Sequence, residues 1–267
     1  MSALRDGGRR DCRGGLLECC DEMTKAPIEL TELLAEDRNV RLVEDGIYSV
    51  LADTSVLHHY DRRAAIYDSV VGTRLYNSVM WGSSPAEYAA FARDAVAANN
   101  RGKFLDAGCG SLLFTAQAYV NSPRTIIACD QSLTMLRRGR KRLLKLCGDP
   151  PAHIVLLQAE LTDLPFRAGS FNGVLCMNVL HLFESAAELV SSLKQLLTPE
   201  GKLCLTSLVL TGRWIGDRYL KALHAAGELV CPRSNLELQE LVERCLDQKV
   251  NYLVKGNMAF LSTPRLH

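Results

Sequence analysis

From residue 103 onward the chain alternates short, continuously apolar runs with amphipathic stretches, the pattern of strands and helices in a doubly wound sheet. Five runs read as core strands: Lys103 to Ala107, Thr125 to Cys129, His153 to Gln158, Gly173 to Met177 and Lys202 to Leu208. They are apolar throughout rather than at every second position, so they are expected to be buried on both faces, as parallel strands covered by helices are. Helix starts are written between them. Ser84 with Glu87, Ser185 with Glu188 and Ser234 with Glu237 have capping-box spacing, and Pro85 suits the first helical position, where no amide hydrogen is needed. Lys249 to Pro264 predicts two antiparallel strands turning at Lys255, Gly256 and Asn257. The expected fold is α/β, a doubly wound, mostly parallel seven-stranded sheet with a C-terminal antiparallel hairpin and an N-terminal cap.

The pattern is weaker before residue 84. Ile28 to Leu34 reads as a short helix, Val40 to Leu51 as a strand pair around Gly46, and Thr54 to Ser78 as a helical segment rich in Tyr and Arg. The organisation expected is a disordered terminus over 1–20, an extension over 21–83 that caps the ligand cleft, and one catalytic domain over 84–267. Ligands of a parallel sheet bind at its carboxyl end, which is where such a cap would lie.

Composition removes several function classes. Apolar residues make up 48% and charged residues 23%, which is ordinary for a globular protein. A net charge of +1 leaves no field to attract a polyanion, so no nucleic acid is expected as partner. No apolar run approaches the ~20 residues that span a bilayer, so no stable membrane insertion is expected. Several of the ten cysteines, Cys129, Cys176 and Cys204 among them, sit inside apolar runs as small hydrophobes, which fits a reducing cytoplasm. Cys19 and Cys20 form the one cluster and lack a second pair at ligand spacing, so no metal is expected. The basic run Arg137, Arg138, Arg140, Lys141, Arg142 and Lys145 is interleaved with Leu133, Leu136, Leu143 and Leu144, and reads as the solvated face of an amphipathic helix.

The chemistry concentrates after the first core strand. Asp106, Ala107, Gly108, Cys109, Gly110 and Ser111 form a turn into a helix predicted from Leu112 to Val120, and glycines at 108 and 110 let a ligand approach the main chain without meeting a Cβ. A dinucleotide loop needs a third glycine where this chain has Leu113, and Asp106 would oppose a pyrophosphate. S-adenosyl-L-methionine has no phosphate and carries an ammonium that Asp106 favours, directly or through water. The next strand ends in Asp130, twenty residues past Gly110, where a carboxylate can accept both hydroxyls of a ribose. Capping the helix that starts near Ser132 is the alternative role for Asp130.

The runs FLDAGCGSLLFT, IIACDQS, LLQAELTDLPFRAGSFNGVLCMNVLHLF and LLTPEGKLCL, in this order over about residues 100 to 210, resemble the motifs of the class I, type 11 methyltransferase family, to which the ubiquinone and menaquinone C-methyltransferases are similar. The resemblance implies a Rossmann-like methyltransferase fold, S-adenosyl-L-methionine as cofactor and a small-molecule methyl acceptor, in a cytoplasmic monomer or homodimer. It places Asp106, Gly108 and Gly110 at the methionine part, Asp130 and Gln131 at the ribose and adenine side, Ala159 and Glu160 at adenine, and Asn178 near the transferred methyl. Four positions depart from the family pattern. Glu160 replaces the commoner Asp, Asn172 stands where an Asp is usual, and Leu112 and Leu113 replace small residues after the second glycine.

Methyl transfer is an in-line displacement that needs alignment above all, and a base only where the acceptor must lose a proton. His181, three residues after Asn178, is the candidate base, with packing or capping as its alternative role. His58 and His59 read as surface residues. Tyr60, Tyr67, Tyr76 and Trp81 with Asp68 and Arg74 are candidates for an aromatic and polar lid that favours a sulfonium, or for a helix docked through its tyrosines. The long stretch after the fifth core strand supplies Arg213, Trp214 and Tyr219 as candidate acceptor contacts beside Tyr67. A protein that binds the cofactor for regulation, or for another reaction, is the alternative reading of the whole chain.

Overall fold

The computed structural model describes residues 28–52, 73–98 and 102–264. Its strands are β1 (Arg41–Glu44), β2 (Ile47–Ser49), β3 (Phe104–Ala107), β4 (Ile126–Asp130), β5 (Ile154–Gln158), β6 (Phe171–Met177), β7 (Leu197–Leu208), β8 (Asn251–Lys255) and β9 (Met258–Ser262). Helices are α1 (Ile28–Thr31), α2 (Arg74–Tyr76), α3 (Pro85–Ala97), α4 (Ala116–Val120), α5 (Leu133–Cys147), α6 (Ala186–Gln195), α7 (Trp214–Ala225) and α8 (Asn235–Leu246), with a π-helical turn at Asn77–Trp81 and a 3-10 turn at Leu180–Leu182. One sheet holds all nine strands in the order β1-β2-β5-β4-β3-β6-β7-β9-β8. The pairs from β2 to β7 are parallel, and those at both ends are antiparallel.

The five predicted core runs are β3 to β7. The clearest difference is the start of β7, where Leu197 already pairs with Phe171 and the regular ladder resumes after an irregularity, at Lys202 opposite Gly173. Nine strands stand where seven were expected, because the Val40 to Leu51 pair joins the sheet through the parallel pairing of β2 with β5. Its turn carries Gly46 at φ 72. Arg137 donates to Glu44 at 2.8 Å and Arg140 pairs with Asp45, so part of the basic run of α5 grips this hairpin instead of facing only solvent. Exposed pairs of this kind contribute ~0–1 kcal/mol each, so they orient the hairpin more than they stabilise it.

Although the core strands are apolar throughout, the pleat sorts their residues between two faces. Leu105, Ile127, Leu157, Val174 and Leu205 pack with α1, α6 and α8. Phe104, Ile126, Leu156, Leu175 and Cys204 pack with α3, α4 and α5. Each large side chain buried this way contributes ~1.5–3 kcal/mol, which explains why these strands have no polar face. Cys129, Cys176 and Cys204 are buried free thiols.

Two capping boxes form: the Ser84 amide donates to Glu87 at 2.8 Å, and Ser234 and Glu237 exchange bonds of 2.7 and 3.2 Å. The third does not. Ser185 has φ −83 and ψ 48 instead of extended backbone, and its hydroxyl makes no cap bond. The helix predicted from Leu112 begins only at Ala116, because Leu112 is left-handed at φ 56.

Asn172 supplies one acceptor, as an acid there could, and one donor, which an ionised acid could not. Its Oδ1 accepts the Lys103 amide at 3.3 Å, and its Nδ2 donates to Thr198 at 3.5 Å. Among the described residues no helix is long and apolar enough to cross a membrane. His58, His59, Tyr60, Tyr67, Asp68, Cys19 and Cys20 lie outside the described residues.

Candidate functional site

The strand order changes direction around β3: the chain continues to β4 on one side and returns to β6 on the other. A crevice at the carboxyl ends of the strands is expected at such a switch point. The loop after β3, Asp130 at the end of β4, Ala159 and Glu160 after β5 and Asn178 after β6 all stand at these carboxyl ends.

Gly108 and Gly110 are left-handed, with φ 79 and 53. A Cβ on Gly108 would lie 2.7 Å from the Val179 side chain, so that glycine permits close packing on the turn after β6. A Cβ on Gly110 would meet nothing within 4 Å, so the loop turns an open face outward there. The amides of Gly108 and Cys109 both donate to the Cys129 carbonyl, at 2.9 and 2.8 Å. Gly110 N–H donates to Asp130 Oδ2 at 2.8 Å. With these amides engaged, the loop's complement to an ammonium is its carbonyl groups.

Asp130 also accepts the Ser132 amide on Oδ1 at 2.9 Å, while Ser132 itself caps α5 through Met135 N–H at 3.2 Å. The capping role weighed for Asp130 therefore belongs to Ser132. A carboxylate can accept about four hydrogen bonds, so holding two amides is compatible with gripping a diol. Beside it, the Gln131 carbonyl accepts from Gln158 Nε2 at 3.0 Å, and Gln158 Oε1 is buried with no partner among the described residues. Ala159 is buried with its amide on the Asp130 carbonyl at 3.2 Å, and Glu160 is exposed.

Asp106 does not present its carboxylate to the cleft. It is 1% exposed and accepts the Tyr119 hydroxyl at 2.7 Å. Burial, with the Asp130 charge adding to it and the Tyr119 bond opposing it, pushes its pKa up to about 7. It acts from behind the loop, because even positions of β3 face α3 to α5. A raised acid stabilises the fold most when protonated, and that contribution fades as pH rises from about 4 through the folded pKa of about 7. Asp106→Asn keeps an acceptor for Tyr119 and removes the titration. Its stability relative to the parent is expected to improve across that window by up to roughly 4 kcal/mol, at 1.36 kcal/mol per unit. Urea unfolding at pH 5 and pH 8 checks this, and an unchanged difference between the two proteins would refute it.

Asn178 is left-handed at φ 58. Its amide donates to the Thr206 carbonyl and hydroxyl, both at 3.0 Å, and its Oδ1 accepts the Thr206 hydroxyl at 3.1 Å. A side chain that tolerates this conformation is thus locked at the end of β6. His181 is buried on the 3-10 turn, and its Nδ1 accepts the Leu208 amide at 3.4 Å. Burial and the neighbouring Arg233 push its pKa down to about 4. At neutral pH the ring is a packed, uncharged acceptor rather than a base poised near neutrality.

Of the candidate lid, Tyr76 and Trp81 meet Tyr219 of α7. The hydroxyls of Tyr76 and Tyr219 are 3.2 Å apart, and the Trp81 and Tyr219 rings are 5.2 Å apart. Arg213 is a tie, not an open contact, bonding Asn257 at 2.8 Å and the Met80 carbonyl at 3.3 Å. Trp214 is 73% exposed, under the Arg218 guanidinium.

Residues 105–205 match the family described as the methyltransferase domain. Over that segment the chain is similar to a methyltransferase domain. A chloroplastic, uncharacterised methyltransferase of Arabidopsis thaliana is 31% identical over 125 residues, which cover 46% of this chain and 35% of that protein. The chain thus spans about a third of that relative's length. Among solved structures, a Haemonchus contortus phosphoethanolamine N-methyltransferase 2 shares 16% identity at a TM-score of 0.57, over 76% of this chain and 47% of that one. The [4+2]-cyclase SpnF shares 14% at 0.59, over 79% and 96%. In this chain the run β5-β4-β3-β6-β7-β9-β8 is extended at one edge by the β1–β2 hairpin.

Sequence reasoning did not find Arg142, whose guanidinium bonds the Ser111 carbonyl, or Gly139, which faces Leu112. Their only signal was that an arginine and a glycine stand at these helix positions. The open face of Gly110 and the Asp130 carboxylate at the adjoining strand end fit S-adenosyl-L-methionine in chemistry: carbonyls for an ammonium and a carboxylate for a diol.

Proposed function

We propose that this chain is an S-adenosyl-L-methionine-dependent methyltransferase that acts on a small-molecule acceptor. The observation that carries the reading is the 2.8 Å bond from Gly110 N–H to Asp130, which joins the open glycine loop to the carboxylate at the next strand end. When bound, S-adenosyl-L-methionine supplies an electrophilic methyl on a sulfonium. In this reading Asp130 and Gln131 hold the ribose, Ala159 and Glu160 border the adenine, and carbonyls of the Gly108 to Gly110 loop take the ammonium. Asn178 provides a rigid turn at the methyl end. Tyr76, Trp81 and Tyr219 form an aromatic wall that excludes water on the acceptor side. Such positioning can account for ~7–11 kcal/mol of a barrier without any protein nucleophile.

S-adenosylhomocysteine at about 100 times its Kd is expected to raise stability by about 2.7 kcal/mol. Calorimetric titration and a thermal melt read this directly, and absence of binding would refute the proposal. Release of S-adenosylhomocysteine from S-adenosyl-L-methionine with small acceptors separates a methyltransferase from a protein that holds the cofactor for another purpose.

A further inference from the structure

Leu112 occupies a conformation that leucine avoids. It has φ 56 and is 1% exposed, with its side chain seated over Gly139 of α5, where an added Cβ would lie 3.1 Å from Leu112 Cγ. A left-handed leucine would gain by returning to negative φ. That return requires the peptide unit between Ser111 and Leu112 to rotate, because φ of one residue and ψ of the residue before it turn the same plane. The carbonyl of that peptide unit is the atom held by the Arg142 guanidinium. Its amide, on Leu112, donates to the Cys109 carbonyl at 3.1 Å. Rotation would break both bonds and displace Gly110, one residue upstream, from its 2.8 Å contact with Asp130.

We propose that Arg142 is a positioning residue that locks the Ser111–Leu112 peptide and so keeps the glycine loop in its ligand-binding shape. A glycine at 112 would adopt this φ at no steric cost and need no such lock. A leucine does, and α5 supplies it from the same helix whose first turn adjoins Asp130. The inference rests on the proposed cofactor site for its binding readout and on the loop alone for its exchange readout.

Arg142→Met is expected to weaken S-adenosylhomocysteine binding about tenfold, as loss of a charge-assisted hydrogen bond does. Arg142→Lys, which keeps a donor, should stay within about threefold of the parent. The effect should depend on residue 112. In a Leu112→Gly or Leu112→Asn background, where the left-handed conformation carries little strain, Arg142→Met should change affinity less than about twofold. Equal losses in both backgrounds would overturn the proposal, because a merely structural arginine would not respond to residue 112. Hydrogen exchange at the Gly110 and Leu112 amides without ligand gives a second reading: faster exchange in Arg142→Met supports the lock and an unchanged rate overturns it. If the parent itself binds no S-adenosylhomocysteine, the proposed function fails, while the exchange comparison still decides the lock.

Discussion

Asp130→Ala is expected to reduce S-adenosylhomocysteine affinity by a factor of about 100 or more. Hydrogen bonds to a charged acceptor contribute ~1.5–3 kcal/mol each, and a ribose diol offers two. The substitution also releases Gly110 N–H and Ser132 N–H, held at 2.8 and 2.9 Å, so the loop loses its anchor along with its ligand. Asp130→Asn separates these effects, since the amide oxygen can hold one backbone amide but offers no charge. It should lower the ligand-free melting temperature less than Asp130→Ala does, because one of the two backbone amides keeps its acceptor, and still bind about tenfold more weakly, a charged acceptor having roughly twice the strength of a neutral one. Calorimetry on the three proteins gives the ranking. Alanine binding as tightly as the parent would remove Asp130 from the site.

Gly256→Ala is expected to cost about 3 kcal/mol or more, lowering the melting temperature by on the order of 10 °C. A Cβ at residue 256 would lie 1.9 Å from the Trp81 carbonyl oxygen and 2.6 Å from Gly82 Cα, both backbone atoms that cannot swing aside. The surroundings cannot relax cheaply, because neighbouring Asn257 is fully buried and tied on every side. Its amide donates to Trp81 at 2.7 Å, its Nδ2 to Val209 at 2.9 Å and to Asp217 at 2.6 Å, and its Oδ1 accepts from Arg213 at 2.8 Å. Gly169→Ala is the control. Gly169 has φ 69, close to the 59 of Gly256, but a Cβ there meets nothing within 4 Å. The control therefore measures left-handed strain alone, ~1–2 kcal/mol, and the excess at Gly256 measures the collision. Equal melting temperatures for the two variants would refute the packing argument.

The sheet was legible because burial on both faces leaves a strand no polar position, a signal contained within each run. The terminal hairpin was legible for a similar local reason, Gly256 and Asn257 marking its turn. At the site, Gly108, Gly110 and Asp130 were readable because backbone geometry and strand ends fix them from nearby residues. Asp106 was readable as an acid beside the loop but not as one turned away, since which face it takes depends on Tyr119, thirteen residues on, filling that side. The failed cap at Ser185 shows the limit of spacing, which supplies both partners of a box without the extended backbone that lets them meet. Arg142, Gly139 and the Asn257 ties were beyond reach because each depends on a partner tens of residues away, with nothing in the chain to distinguish it from any other arginine, glycine or asparagine. The basic run of α5 was assigned to water for the same reason: the acids Glu44 and Asp45 that meet it lie about ninety residues earlier.

Both margins of the sheet end in an antiparallel ribbon, β1 outside β2 and β8 outside β9. Among the described residues the outermost strands are therefore short and carry a charge at an end, Arg41 and Glu44 on one side and Lys255 of Asn251 to Lys255 on the other, rather than being the apolar parallel ones. A neighbouring molecule adding itself strand to strand would have to desolvate those charges, so the fold discourages growth in the plane of the sheet while leaving the helical faces open to other encounters.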